Sequence, residues 1–239
     1  MGQVGKQTLT ALTRVGGNTT VSDGVKLAFV NYDGESSLVA ALTEQDFGSS
    51  KGGSENIVPN AYGVNFYGNL KLQDDIPALK HILASVKEVK EVGANWIAIT
   101  PNFWYEYSRG LGPFTFGFDF PNKSATFYDE GKSRVNTTTF TLNQRELLDS
   151  VNRLLGKTDD DRKNSYQPAA ERSKEGQEEL AKGDGTGFLK ALYARTFFPT
   201  GEGVFETHNN ILKLPKEDLA EATLAAHEWA VAQARRAKI

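Results

Sequence analysis

Apolar residues recur at period two in much of the first half of this chain and at period three to four in the second half. Val25, Leu27 and Phe29 alternate behind the Asp23-Gly24 turn signal, so Val21–Val30 is expected to be a strand. Leu38, Val39, Ala41 and Leu42 place a helix over Ser36–Asp46, stopped by Gly48, and Gly48–Ser54 has the composition of a flexible loop. Val64 and Phe66 alternate within Tyr62–Leu72, which reads as extended. Ile76, Leu79, Ile82, Leu83, Val86 and Val89 form one helical stripe over Ile76–Val92. Asp74 and Asp75 are placed to cap this helix, Pro77 suits its first turn and Gly93 its end. Asn95–Thr100 follows with a buried-strand pattern, closed by Pro101.

Phe114, Phe116, Phe118 and Phe120 alternate with Thr115, Gly117 and Asp119, which predicts a strand with one aromatic face. A turn at Pro121–Ser124, a return strand over Ala125–Tyr128 and a further strand over Val135–Thr141 extend this into an antiparallel meander. Thr141 and Gln144 have capping-box spacing ahead of Leu147, Leu148, Val151, Leu154 and Leu155, a helix that ends at Gly156. In Lys157–Gly185, 14 of 29 residues are charged, so this segment is expected to be a solvated helix from about Pro168 or an exposed excursion. Two amphipathic helices close the chain. One carries Phe188, Leu189, Leu192, Tyr193 and Phe197; the other, Lys216–Ala237, carries Leu219, Ala222, Ala226, Trp229, Ala230 and Gln233.

The expected fold class is therefore α+β, with a mainly antiparallel sheet in the N-terminal two-thirds, helices packed on it and a helical C-terminal third. A β-rich core over residues 1–156 and a helical region over 157–239 would share one interior as a single domain.

Composition narrows the function. The net charge is −3, from 27 basic and 30 acidic residues, without the basic excess that phosphate neutralisation demands of a nucleic-acid binder. The absence of cysteine removes disulfides, thiolate metal sites and cysteine nucleophiles. No apolar run approaches the roughly 20 residues of a membrane-spanning helix. The N-terminus lacks a secretory pattern, so the chain is expected to be cytoplasmic, or secreted with its signal already removed. Glycosylation triplets begin at Asn18, Asn122 and Asn136.

Catalytic motifs are sparse. His81, His208 and His227 are scattered, and there is no phosphate loop, dinucleotide fingerprint or serine elbow, so no metal and no cofactor is implied. His208, in the polar stretch Val204–Asn210, is the histidine placed to act as a base. The segment Asn95–Arg109 stands out for its rings. Trp104, Tyr105, Tyr107 and Arg109 are candidate ligand-binding residues for a sugar, which stacks on rings and bonds to charged groups. Glu106, paired with Asp119, Asp129 or Glu130, could supply the two carboxylates of a glycosidase, Asp119 being the first choice. Weighed against the thin chemistry, the first expectation is a non-catalytic structural or interaction protein whose partners are other protein subunits, self-assembly included. A carbohydrate-active hydrolase or binding module is the alternative, and a lipid- or membrane-acting protein the third.

Overall fold

A computed structural model describes residues 56–57, 62–80, 83–84 and 95–236. The expected strand at Val21–Val30, the helix at Ser36–Asp46, the loop at Gly48–Ser54, the Asn18 triplet and much of the Ile76–Val92 helix lie outside these residues. What is described mixes helices with small sheets, α+β in class.

Strand β1 (Asn56–Ile57) pairs in parallel with β2 (Asn95–Trp96). The pattern at Asn95–Thr100 predicted a longer, buried strand. Among the described residues the ladder covers two pairs, Asn56 with Asn95 and Ile57 with Trp96, and Ile97 and Ile99 beyond it are exposed. Helix α1 (Leu70–Asp75) replaces the extended end expected for Tyr62–Leu72. The Asn69 side chain accepts a hydrogen bond from the Leu72 N–H (3.0 Å) and so starts a helix that alternation alone does not reveal. Asp74 and Asp75 thus end α1 instead of capping the next helix, and a 3-10 turn follows at Pro77–Leu79.

After the short helix α2 (Tyr105–Gly110), the alternating phenylalanines do not form one strand. Gly112–Phe114 is a 3-10 turn, and Gly117 takes φ +82°, a left-handed conformation that bends the chain. Only β3 (Phe118–Asp119) is extended, antiparallel to β4 (Ser124–Tyr128). A Cβ on Gly117 would stand 2.1 Å from the Thr126 carbonyl oxygen, so only glycine fits at this bend. Phe116 and Phe118 still reach the core, while Phe114 and Phe120 are half-buried.

The meander is also broken up. Strands β5 (Arg134–Asn136) and β6 (Thr141–Asn143) form a separate hairpin. The other neighbour of β4 is β7 (Lys163–Gln167), paired in parallel over five residues. The charged segment Lys157–Gly185 therefore takes part in the fold, through backbone pairing and through α4 (Ala169–Ala181), whose inner face of Ala169, Arg172, Ser173 and Gly176 is buried.

Helix α3 (Gln144–Leu155) carries its capping box on Asn143 and Glu146, two residues beyond the expected pair, while the Thr141 hydroxyl donates across the hairpin to Asn136 Oδ1 at 2.8 Å. Helix α5 (Thr186–Thr196) lies against α4, and α6 (Leu219–Arg236) starts three residues later than expected, where the Asp218 carboxylate accepts from Ala220 N–H at 2.8 Å and Glu221 N–H at 3.1 Å. The core joins these elements through rings. Phe103 stacks on Tyr193 at 3.8 Å, and Phe116 stands edge-on to Phe103, Tyr193 and Phe197.

One ion-pair group is set into this packing. Arg195, 1% exposed, contacts Asp75 at 2.6 Å and Glu202 at 3.1 Å, with Phe198 beside its guanidinium at 4.5 Å. Burial alone would push the Glu202 carboxyl up. Hydrogen bonds from Arg195 and Thr200 outweigh it and bring the carboxyl down to about 2.

Candidate functional site

The aromatic segment divides into an inner and an outer face. Trp104 precedes α2 in extended conformation, and its carbonyl accepts from the Ser108 N–H at 2.8 Å. Helical spacing then turns Tyr105, Ser108 and Arg109 inward. The Tyr105 hydroxyl meets Thr223 Oγ1 at 2.7 Å, and Arg109 donates to the Thr223 carbonyl at 2.5 Å while its guanidinium lies 5.2 Å from the Phe120 ring centre. Ser108 Oγ and the Tyr193 hydroxyl lie 2.5 Å apart. Burial raises the Tyr105 phenol and lowers the Arg109 guanidinium from their ordinary pKa values. Of the ligand-binding candidates, Tyr105 and Arg109 therefore hold α2 to α6.

Trp104 and Tyr107 remain on the outer face. Tyr107 is 46% exposed, 6.2 Å from the Trp104 ring and 6.0 Å from Trp229 of α6. Trp229 lies against Gly110, where a Cβ would approach its ring to 1.9 Å. This third ring was read from the sequence as part of the apolar face of α6; only the contact between α2 and α6 brings it beside Tyr107.

The carboxylate candidates occupy separate elements. Glu106 is half-buried in the first turn of α2. Asp119 closes its own turn, with Oδ1 accepting from Asn122 N–H at 3.1 Å and Oδ2 from Asn122 Nδ2 at 2.9 Å. Asn122 is exposed. Asn136 is buried and gives its Nδ2 to the Phe205 carbonyl at 2.8 Å, which leaves no room for a glycan there in this fold. An open recess of about 340 Å³ is lined by Asp149, Asn152, Arg153, Lys157, Thr158 and Asp159, none of them a predicted site residue. Arg145 and Arg162 already engage its Asp159 and Asn152. Among the described residues no cluster of histidines and carboxylates could hold a metal ion.

A different surface is the more unusual one. The exposed His208 begins a tight turn, its carbonyl accepting from Leu212 N–H at 2.9 Å, while the Asn209 carbonyl accepts from Leu214 N–H at 3.0 Å and the Asn210 carbonyl from Lys213 N–H at 3.2 Å. Both ends are fastened. Gly203 accepts from Asn136 N–H at 2.7 Å, and Glu217 accepts from Thr139 Oγ1 at 2.7 Å. Held this way, the turn presents Ile211 at 75% exposure, Leu212 at 64% and Leu214 at 44%, with Lys213 between them and Pro215-Lys216 after them. Sequence periodicity missed these residues because they belong to no strand or helix; the available signal was an Ile-Leu-x-Leu run outside every periodic element.

No family model, no curated protein and no solved structure matches the chain.

Proposed function

We propose that this protein is a non-catalytic interaction protein that meets its partner through the Ile211–Leu214 turn. The exposure of three large aliphatic side chains on one anchored turn carries the proposal. Full burial of such a side chain from water returns about 1.5–3 kcal/mol, so the largely exposed Ile211 and Leu212, with the half-exposed Leu214 beside them, are explicable by a partner that covers them. The thin acid–base chemistry is consistent with this: Asp119 is spent on its own turn and Arg109 on α6. Without another partner, copies of the chain are expected to meet weakly through the same residues. Light scattering at rising concentration should show the mass climbing above the monomer, and the Ile211→Asp, Leu212→Asp double variant should stay monomeric with an unchanged melting temperature. A mass that climbs equally in both proteins would remove the turn from the interaction.

The three surface rings favour a second reading, carbohydrate binding at Trp104, Tyr107 and Trp229. Stacking of a pyranose on such rings is expected to shift tryptophan emission when oligosaccharides are titrated in, and less so in Tyr107→Ala. Emission unmoved by a panel of neutral and acidic oligosaccharides rules this reading out.

A further inference from the structure

We infer that Arg109 and Arg162, gathered on the Phe120 ring, form an oxyanion site for a phosphate group, inorganic or carried on a small molecule. The site shares no residue with the Ile211–Leu214 turn. Arg109 is 7% exposed, and its anchor to α6 uses Nη1 alone. Nη2 and Nε have no protein partner among the described residues, and Nε is buried. Arg162, half-buried directly before β7, gives its Nε to Asn152 Oδ1 at 3.1 Å, and among the described residues neither of its Nη nitrogens has a partner. Each guanidinium carbon lies 5.2 Å from the Phe120 ring centre, which limits their separation to twice that distance. A phosphate bonded to two guanidiniums at about 2.8 Å spans roughly 8 Å between their carbons, inside that limit. Its oxygens would accept from Nη2 of Arg109 and from the Nη nitrogens of Arg162, whose planar forks match phosphate.

A buried guanidinium is costly unless its charge is met. Among the described residues neither arginine is ion-paired. Burial foremost lowers the Arg109 guanidinium; Tyr105 works against this, the charge of Arg162 adds to it, and no carboxylate acts on it. Asp161 and Asp159 do act on Arg162, yet both are engaged elsewhere. Asp159 is paired with Arg145 at 2.8 Å, and Asp161 accepts from Thr158 N–H at 2.9 Å and faces Lys157 at 3.5 Å. Asp119, next to Phe120 in sequence, has both oxygens on Asn122. The chain's net charge of −3 is no bar, since exposed charges more than about 8 Å away are screened at physiological salt. A dianion between the two arginines supplies the charge that the protein around Arg109 does not.

The test is titration calorimetry of the full chain with inorganic phosphate and with phenyl phosphate, beside chloride at matched ionic strength. Wild type should bind phosphate saturably at one site and ignore chloride. Binding of both probes shows that the free anion suffices; binding of phenyl phosphate alone assigns the site to a phosphorylated small molecule. Arg162→Gln, a change at a half-buried residue, should weaken binding at least about tenfold. Arg109→Lys keeps the charge and loses the fork, and should weaken it by a similar factor. Arg153→Gln, on the open recess, should bind as wild type does. Thermal melting shows that each variant is folded, and saturating phosphate should raise the melting temperature of wild type more than that of Arg162→Gln. Phosphate heats no greater than those of chloride, or equal affinity in wild type and Arg162→Gln, overturn the site. Binding lost in Arg153→Gln and kept in Arg109→Lys would place the anion in the recess and overturn it as well.

Discussion

Arg195→Ala is expected to destabilise the protein by about 3–5 kcal/mol, because it leaves a buried ion-pair group without its centre. At 1% exposure, Arg195 joins the end of α1, through Asp75, to the turn after α5, through Glu202. Its removal strips Glu202, itself only 12% exposed, of its principal donor. It also opens space beside the Phe198 ring. Thermal unfolding should fall by roughly 10 °C for a chain of this size. The pH dependence gives a second readout. The Glu202 carboxyl titrates near 2 in the folded protein against an ordinary 4.5, so its stabilisation is complete above pH 4.5 and is lost as pH falls toward 2. Glu202→Gln should therefore be less stable than wild type at neutral pH, by on the order of 2 kcal/mol, and the gap should close in acid. A gap that is constant with pH would mean that Glu202 contributes through its shape and not its charge.

Gly176→Val carries the second large effect. Helices α4 and α5 approach so closely that a Cβ on Gly176 would stand 2.5 Å from the Ala191 nitrogen and 2.7 Å from the Gly187 carbonyl oxygen. These are backbone atoms, which cannot swing aside as a side chain does. The helices must separate, stretching the bond from Ser173 Oγ to the Ala191 carbonyl (3.1 Å) and the ion pairs of Lys190 with Glu175 (3.0 Å) and Glu179 (2.6 Å). The expected cost is about 3 kcal/mol or more, read from the denaturant midpoint. A midpoint equal to that of wild type would show that α4 is not fixed against α5.

Helices whose apolar residues recur at helical period were legible in the sequence. Leu147, Leu148 and Val151 of α3 and Ala222 and Ala226 of α6 are buried as their spacing implies. Capping residues were harder to place, since Thr141–Gln144 and Asn143–Glu146 offer the same spacing, and only the bond of the Thr141 hydroxyl to Asn136 across the hairpin tells them apart. Alternation misled at Phe114–Phe120, because the positive φ of Gly117 overrides a pattern of rings that packs well in either conformation. Strand β7 was hidden for the opposite reason. Its residues, Lys163 to Gln167, show no apolar alternation, and it is held by backbone pairing to β4. For the surfaces, sequence proximity gathered Trp104, Tyr105, Tyr107 and Arg109 into one group, and the helical turn of α2 separated them into rings outside and anchors inside. Periodicity could not find the Ile211–Leu214 turn, since three aliphatic residues in a loop carry no period; only their clustering outside every periodic element marks them.

Because the chain has no cysteine, Leu212→Cys gives a single labelling site for an environment-sensitive fluorophore. Its emission should be that of a water-exposed dye in the free, dilute protein and should shift to the blue, with slower quenching by aqueous iodide, once a high concentration of unlabelled protein is added. A dye already shielded in the dilute monomer, or one whose emission ignores the added protein, would contradict the assignment of this turn as the contact point.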